Sequence, residues 1–302
     1  MVEHVRWDLV GVDASWCASA IDGSGQLGYR PEERVTPASV MKIQVALAVA
    51  SAIDSGTLDG TARIRLETVS RTPGPVGMSL MADPVEMSLR DLLVPMITIS
   101  DNAATDALID AVGLESVNEV TRRLGLTGTG VVEDLQGMLD KMAAEIGFMD
   151  YAALVEHDPA MHGPPTQEEV STRLAASSPL DPARGSRTTP ADMVRLLSLI
   201  WTDAAGPAPA CARLRSLMRN QLTRHRIASG FGSKYSVSAK SGGLMGIVRN
   251  EVGVVTDTGG RSFAVAIFTR RDTRSANDPS EIDSAIGVLA RRLVAQLQAT
   301  SR

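Results

Sequence analysis

The sequence predicts an α/β (α+β) protein: an antiparallel sheet lobe formed by both termini and flanked by helices, with an inserted all-helical lobe. Three observations predict it. Short apolar runs broken by turn signals lie at both ends of the chain, over residues 8–30 and 234–269. Segments with helical apolar spacing fill the middle. A final helical run, from Ser280 to about Gln298, has to cover the sheet that the two ends form together. The α/β lobe is expected over residues 1–38 and 208–302 and the helical lobe over 39–207, with an atypical insert at about 130–175.

Taken in order, Ser15 to Asp22 reads as a strand and Gly23-Ser24-Gly25 as a hairpin turn. Gly23-x-Gly25-x-x-Gly28 spells a dinucleotide fingerprint, but Tyr29-Arg30-Pro31 follows where a helix would have to start, so the glycines are hairpin chemistry. Thr36-Pro37 ends an extended segment. Val40 to Ile53, rich in Ala, Val and Leu and free of Gly and Pro, is a buried helix. Asp59 to Pro84 scatters Gly and Pro through short strands and loops. A helix opens at Met87-Ser88-Leu89-Arg90-Asp91, capped by Ser88 with Asp91 completing the box, and Pro95 predicts a kink or break in it.

Ser100-Asp101-Asn102 are cap-forming residues before a helix from Ala103 to Val112, and Leu114 to Leu124 is another, ended by Gly125. Glu133 to Val155 keeps helical spacing through Leu135, Met138, Leu139, Met142, Ile146, Met149 and Ala153. Glu156 to Arg187 holds five prolines and reads as one long irregular loop with a helical turn at Gln167-Glu168-Glu169. Thr189-Pro190-Ala191-Asp192 caps a helix ending near Trp201, and Ala210 to Leu222 is the next. Lys234 to Ala239, Ile247 to Thr256 and Ser262 to Thr269 are strands, and the last helix is expected to be capped by Asp283.

Composition narrows the function classes. Hydrophobic residues make up 44% of the 302, ample for a packed core. Aromatic residues are only 3% and the net charge is −5, which together exclude stacking platforms and a basic footprint for nucleic acid, and give no attraction to an anionic membrane. No run of 18 apolar residues occurs, so nothing is expected to span a membrane. Met1 to Asp8 has no basic region followed by an apolar core, so no signal peptide is read; the chain is cytoplasmic as written, or secreted if it is a mature chain restarted at Met1. Cys17 and Cys211 read as buried free thiols. His4, His157, His162 and His225 make no metal-binding spacing and read as surface or loop residues; neither a metal nor a cofactor is expected.

The chemistry-bearing stretch is Thr36-Pro37-Ala38-Ser39-Val40-Met41-Lys42. Ser39 stands at the first turn of a helix, and Lys42, three residues on, shares its face. A serine hydroxyl is a poor nucleophile until a base takes its proton, and a lysine whose pKa is lowered by burial and by other cations is such a base. The helix N-terminus favours negative charge developing at Ser39. Lys240-Ser241-Gly242 adds a lysine beside a strand, then a small hydroxyl residue, then a glycine that lets a ligand approach the backbone.

Ser39-Val40-Met41-Lys42, Ser100-Asp101-Asn102 and Lys240-Ser241-Gly242, in this order, resemble the S-x-x-K, S-D-N and K-[ST]-G set of class A β-lactamases and penicillin-binding proteins. The resemblance extends to Arg30-Pro31-Glu32-Glu33-Arg34, to the stretch from Met87 to Leu108, to Thr188-Thr189-Pro190 and to the closing strands and helix, and it is broken over 130–175. It implies a β-lactamase/transpeptidase-like fold and an acyl-enzyme mechanism on a small-molecule substrate, a β-lactam or a peptide-like acyl compound. Ser39 would be acylated, Lys42 would activate it, Ser100 would relay a proton to the leaving nitrogen, and Lys240 would tune Ser100. Asn102 would hold the substrate side-chain amide and Lys42. Ser241 and Arg249 would hold a substrate carboxylate. The N–H groups of Ser39 and of Gly243, just after Gly242, would form the oxyanion hole.

One part of the pattern is missing. The family's E-x-x-L-N, whose glutamate positions the hydrolytic water, does not occur. Glu168 and Glu169 are the nearest candidates for that base and Glu133 is another, each of which also reads as a solvated surface residue; Asp181 reads as a turn residue before Pro182. Three readings follow: a β-lactam hydrolase, a biosynthetic esterase, amidase or acyltransferase with weak β-lactam turnover, and a non-catalytic homologue that only binds.

Overall fold

The computed structural model describes residues 7–300. The N-terminal residues read above for a signal peptide, His4 among them, lie outside the described residues as far as residue 6. In chain order the elements are β1 (Val12–Ala20), β2 (Gln26–Tyr29), α1 (Lys42–Asp54), β3 (Arg63–Leu66), β4 (Val85–Ser88), α2 (Leu89–Thr98), α3 (Asn102–Val112), α4 (Leu114–Arg123), α5 (Leu135–Glu145), α6 (Tyr151–Glu156), α7 (Pro159–His162), α8 (Gln167–Ala176), α9 (Pro190–Trp201), α10 (Ala208–Arg219), β5 (Tyr235–Leu244), β6 (Val248–Asp257), β7 (Ser262–Arg271) and α11 (Pro279–Thr300). Short 3₁₀ turns include Ala38–Met41, Ser178–Leu180 and Ile227–Gly230.

Five strands form an antiparallel sheet in the order β2-β1-β7-β6-β5, so the two ends of the chain do meet in one sheet. Strand alternation sorts its side chains. Val265 and Ile267 of β7 and Trp16 and Ala18 of β1 point to α11, where Ile286, Leu293 and Leu297 cover them. Ala264, Ala266, Phe268 and Cys17 point the other way, into a core shared with the helices. That core is continuous across the expected boundary at residue 208, because α10 packs on α1 and α9 as well as on β5.

Helix α1 is buried all round over Lys42–Ala50 and lies among α2, α3, α4 and α10. A helix apolar on every side has to sit at the centre of a bundle. Its first turn therefore carries a lysine into the interior. Ser88 caps α2 as expected: its hydroxyl accepts from the Asp91 N–H and donates to the Asp91 carboxylate. Pro95 does not break α2, which ends three residues later; its carbonyl accepts the N–H groups of Ile99 and Asp101 and delivers the chain into Ser100. Thr189 caps α9 through the Asp192 N–H.

Two expectations are corrected. Asp283 is not the cap of α11, because its carboxylate is occupied by two arginines; Asp278 and Glu281 form the cap instead, through the Ser280 and Asp278 N–H groups. The stretch from Glu133 to Arg187 is not one helix and one loop. Gly147, at φ 99°, ends the first helical segment, and the region folds as α5–α8. Two bridges, Val35 to Thr188 and Gly130 to Arg187, close its neck. Its core of Met142, Ile146, Leu154, Val170, Leu174 and Leu180 packs against Ala38, Leu244 and Val248 of the main body. Arg270 of β7 ties it down, donating to the carbonyls of Ala175 and Leu180. Cys17 and Cys211 are free and buried.

Candidate active site

Ser39 lies in the 3₁₀ turn that feeds α1, immediately after Ala38, which is held at φ 48°. A non-glycine residue there is strained and persists only where its surroundings enforce it. Here they do. Asn250 of β6 donates from Nδ2 to the carbonyls of Thr36 (2.9 Å) and Pro37 (3.2 Å). Gly242 of β5 comes so close that a Cβ on it would lie 2.7 Å from Pro37 O and 3.2 Å from Val40 N. Only glycine lets that strand approach the serine turn.

Lys42 is fully buried, with relative exposure of 0%. Its Nζ donates to Ser100 O at 2.7 Å and Asn102 Oδ1 at 2.8 Å, with Ser100 Oγ at 3.3 Å. Burial pushes its pKa down to about 7, against the pull of Asp106 and Asp101. A lysine so placed is uncharged just above neutrality, the state in which an amine can accept a proton.

The Ser100 turn is itself strained, with Ser100 at φ 64°. Asp101 enforces it from inside. The Asp101 carboxylate accepts the N–H groups of Ala104 (2.9 Å) and Met78 (2.6 Å), so it caps α3 and fastens the Met78 loop at once. Asn102 spends its amide N–H on Pro73 O at 2.8 Å and turns its oxygen to Lys42.

Lys240 lies within β5 rather than beside it. It is buried at 0% exposure in mid-strand, with Nζ donating to Ser241 O at 2.7 Å. Burial, and then the charge of Lys42, hold its pKa well below the ordinary lysine value, opposed by Glu251. Strand β5 is an edge strand, and its outward N–H groups alternate. The Ser241 N–H is taken by Gln221 Oε1. The Gly243 N–H, two residues on, faces the same edge, as an oxyanion donor requires.

The structure thus brings the Lys42, Ser100 and Asn102 side chains into direct contact, and sets Gly242 against the turn that holds Ser39. Arg249 has an internal partner. Its Nε donates to Asp283 Oδ1 at 2.8 Å and its Nη2 to Asp283 Oδ2, so its fork is already occupied by an internal carboxylate. Burial works against charge on Asp283, but the bonds from Arg249 and Arg226 outweigh it and hold the carboxyl below its usual range.

Glu168 and Glu169 are not brought to Ser39. Both are exposed in the first turn of α8, and the Glu169 carboxylate turns back onto the Thr166 N–H at 2.7 Å in a capping box. Glu133 faces Lys141, and Asp181 pairs with Arg184. The carboxylates coupled to Lys42 are Asp106 and Asp101. Asp106 accepts the N–H groups of Leu135 and Gln136, both at 2.8 Å, and the Thr72 hydroxyl at 2.6 Å, which docks the start of α5 beside Lys42.

Sequence reading missed Asn250, Glu251, Gln221, Asp106 and Asp283. Asn250-Glu251 did carry a signal: two polar residues that run directly into the apolar stretch Val252-Gly253-Val254-Val255 of a strand. Among the described residues no His, Cys, Asp and Glu group is arranged to hold a metal, and no helix is long and apolar enough to cross a membrane.

Comparison with known proteins fits this geometry. The sequence profile of the family described as "Beta-lactamase enzyme family" matches residues 8–297. The chain belongs to the beta-lactamase enzyme family. The beta-lactamase regulatory protein BlaB of Streptomyces cacaoi is 30% identical over 296 residues, which are 94% of this chain and 92% of that one. A beta-lactamase from Sphaerobacter thermophilus superposes with a TM-score of 0.72 at 27% identity, covering 96% of this chain and 92% of its own. A point mutant of PBP-A, solved as an acyl-enzyme complex with penicillin G, superposes with a TM-score of 0.70 at 19% identity, covering 95% and 91%. The relatives it resembles thus carry the names of beta-lactamases and of a regulatory protein, and the fold is that of class A beta-lactamases.

Proposed function

We propose that this protein is a serine acyl hydrolase of class A β-lactamase type that forms an acyl-enzyme at Ser39 with a β-lactam or a related cyclic amide or ester, and releases it slowly. The observation that carries the reading is Lys42: fully buried, held near neutrality, and bonded to Ser100 and Asn102.

In this reading neutral Lys42 takes the Ser39 hydroxyl proton as Oγ attacks the carbonyl carbon. The C–O bond forms and the carbonyl oxygen gains charge, which the N–H groups of Ser39 and Gly243 stabilise. The C–N bond then breaks. The proton passes from Lys42 through Ser100 Oγ, 3.3 Å from Nζ, to the leaving nitrogen. Lys240 tunes Ser100 in that transfer.

Hydrolysis of the ester needs a base that holds water, and such a base contributes about 10²–10⁴-fold. Asp106 and Asp101 have their oxygens filled by protein donors. Glu168 and Glu169 belong to α8. A second reading, binding without turnover, is favoured by these same occupied carboxylates and by the likeness to a regulatory protein.

Rapid mixing with a chromogenic cephalosporin tests the choice, with Glu168→Gln and Glu169→Gln alongside wild type. The expected result is a burst close to one equivalent, then slow turnover alike in all three. Fast steady turnover in wild type refutes slow release, and its loss in one variant names that glutamate as the base. No burst at all favours the binder.

A further inference from the structure

Behind Lys240 lies a buried polar pair that the acylation steps do not use. Glu251 of β6 has 0% exposure and stands directly across the sheet from Ser241. Its Oε2 accepts the Ile227 N–H at 2.6 Å, and its Oε1 accepts from Gln221 Nε2 at 3.1 Å. Gln221, 3% exposed, also donates to Thr223 O at 3.0 Å, and its own carbonyl takes the Ser241 N–H. A carboxylate inside an apolar strand costs stability unless it is paired and bonded. Val254 or Val255 shows what that strand otherwise prefers.

We propose that Gln221 is a positioning residue: held by Glu251, it aligns the outer edge of β5 so that Gly243 rather than Ser241 offers its N–H to the substrate. This rests on the reading of Lys240-Ser241-Gly242 as a wall of the acylation site.

The hydrogen bonds fix the orientation of the Gln221 amide, with its NH₂ on Glu251 and its oxygen on Ser241. A flipped Gln221 amide would set an NH₂ group against the Ser241 N–H, and the Glu251 carboxylate forbids that flip.

Gln221→Leu removes only the amide: exchange of the Ser241 N–H, followed by NMR, is expected to quicken, and the rate of acylation by penicillin G to fall tenfold or more. Glu251→Gln keeps an acceptor for the Gln221 amide and is expected to retain both the protection and most of the rate. An unchanged acylation rate or unchanged Ser241 exchange in Gln221→Leu overturns the proposal. Wild type that takes no acyl group refutes the proposed function instead, and the Ser241 exchange still decides the role of Gln221 at the edge of β5.

Discussion

Replacing Lys42 by methionine exposes what its burial does to the whole protein. Burial holds the Lys42 pKa at about 7 against an ordinary 10.5, so between those values the unfolded chain carries a proton that the folded chain lacks. Stability rises with pH wherever the unfolded state binds more protons. The burden of Lys42 is therefore present in full below about pH 7 and is relieved as pH climbs toward 10.5. Each pH unit in that window corresponds to about 1.4 kcal/mol, so wild type should gain roughly 4 kcal/mol on Lys42→Met between pH 7 and pH 10. The lost bonds to Ser100 O and Asn102 Oδ1, and the packing of the methionine, add a constant that drops out of the difference. Lys240 is common to both proteins, and its repulsion by Lys42 acts only where Lys42 is charged, below the window. Urea unfolding of both proteins at pH 7, 8, 9 and 10 measures the change. Stability curves that run parallel across that range would refute the placement of an uncharged Lys42 in the core.

Gly242→Ala should cost about 1–3 kcal/mol and disable acylation, because its Cβ meets backbone at Pro37 and Val40 that cannot swing aside. Gly243→Ala has its nearest atoms at 3.7 Å and should stay within about 0.5 kcal/mol of wild type; urea unfolding and penicillin labelling of the two variants read the contrast. Arg249 bears on carboxylate recognition. If its fork serves a substrate carboxylate as well as Asp283, Arg249→Ala should weaken an acid about tenfold to a hundredfold more than its methyl ester, while Asp283→Asn should strengthen the acid. Equal effects on acid and ester in KM would remove Arg249 from substrate binding.

The elements with strong local signals were legible in the sequence: α1, α3, α4, α9, α11 and strands β1, β6 and β7 stand within a few residues of expectation, whereas β5 runs on to Leu244, past its expected end at Ala239, and takes in Lys240-Ser241-Gly242. The three motifs were legible because each places chemistry at a helix start or on a strand. The contents of residues 131–186 were not. Five prolines and scattered polar residues read as loop, whereas Asp134, Asp150, Asp158 and Thr166 each cap a separate short helix there. The supports of the site were hidden for another reason. Asn250, Gln221 and Asp106 act across 19 to 214 residues of sequence, and no local pattern records a partner that distant. Asp283 was read as a helix cap from its place in the first turn, and the tertiary pull of Arg226 and Arg249 overrode that local role.

The central claim is that Ser39 takes an acyl group and holds it. Intact mass of the full chain after incubation with penicillin G tests it most directly, on wild type and Ser39→Ala. A single adduct of the mass of penicillin G on wild type, persisting through minutes of buffer exchange and absent from folded Ser39→Ala, is the predicted result. Folded wild type without an adduct, or the same adduct on Ser39→Ala, would contradict it.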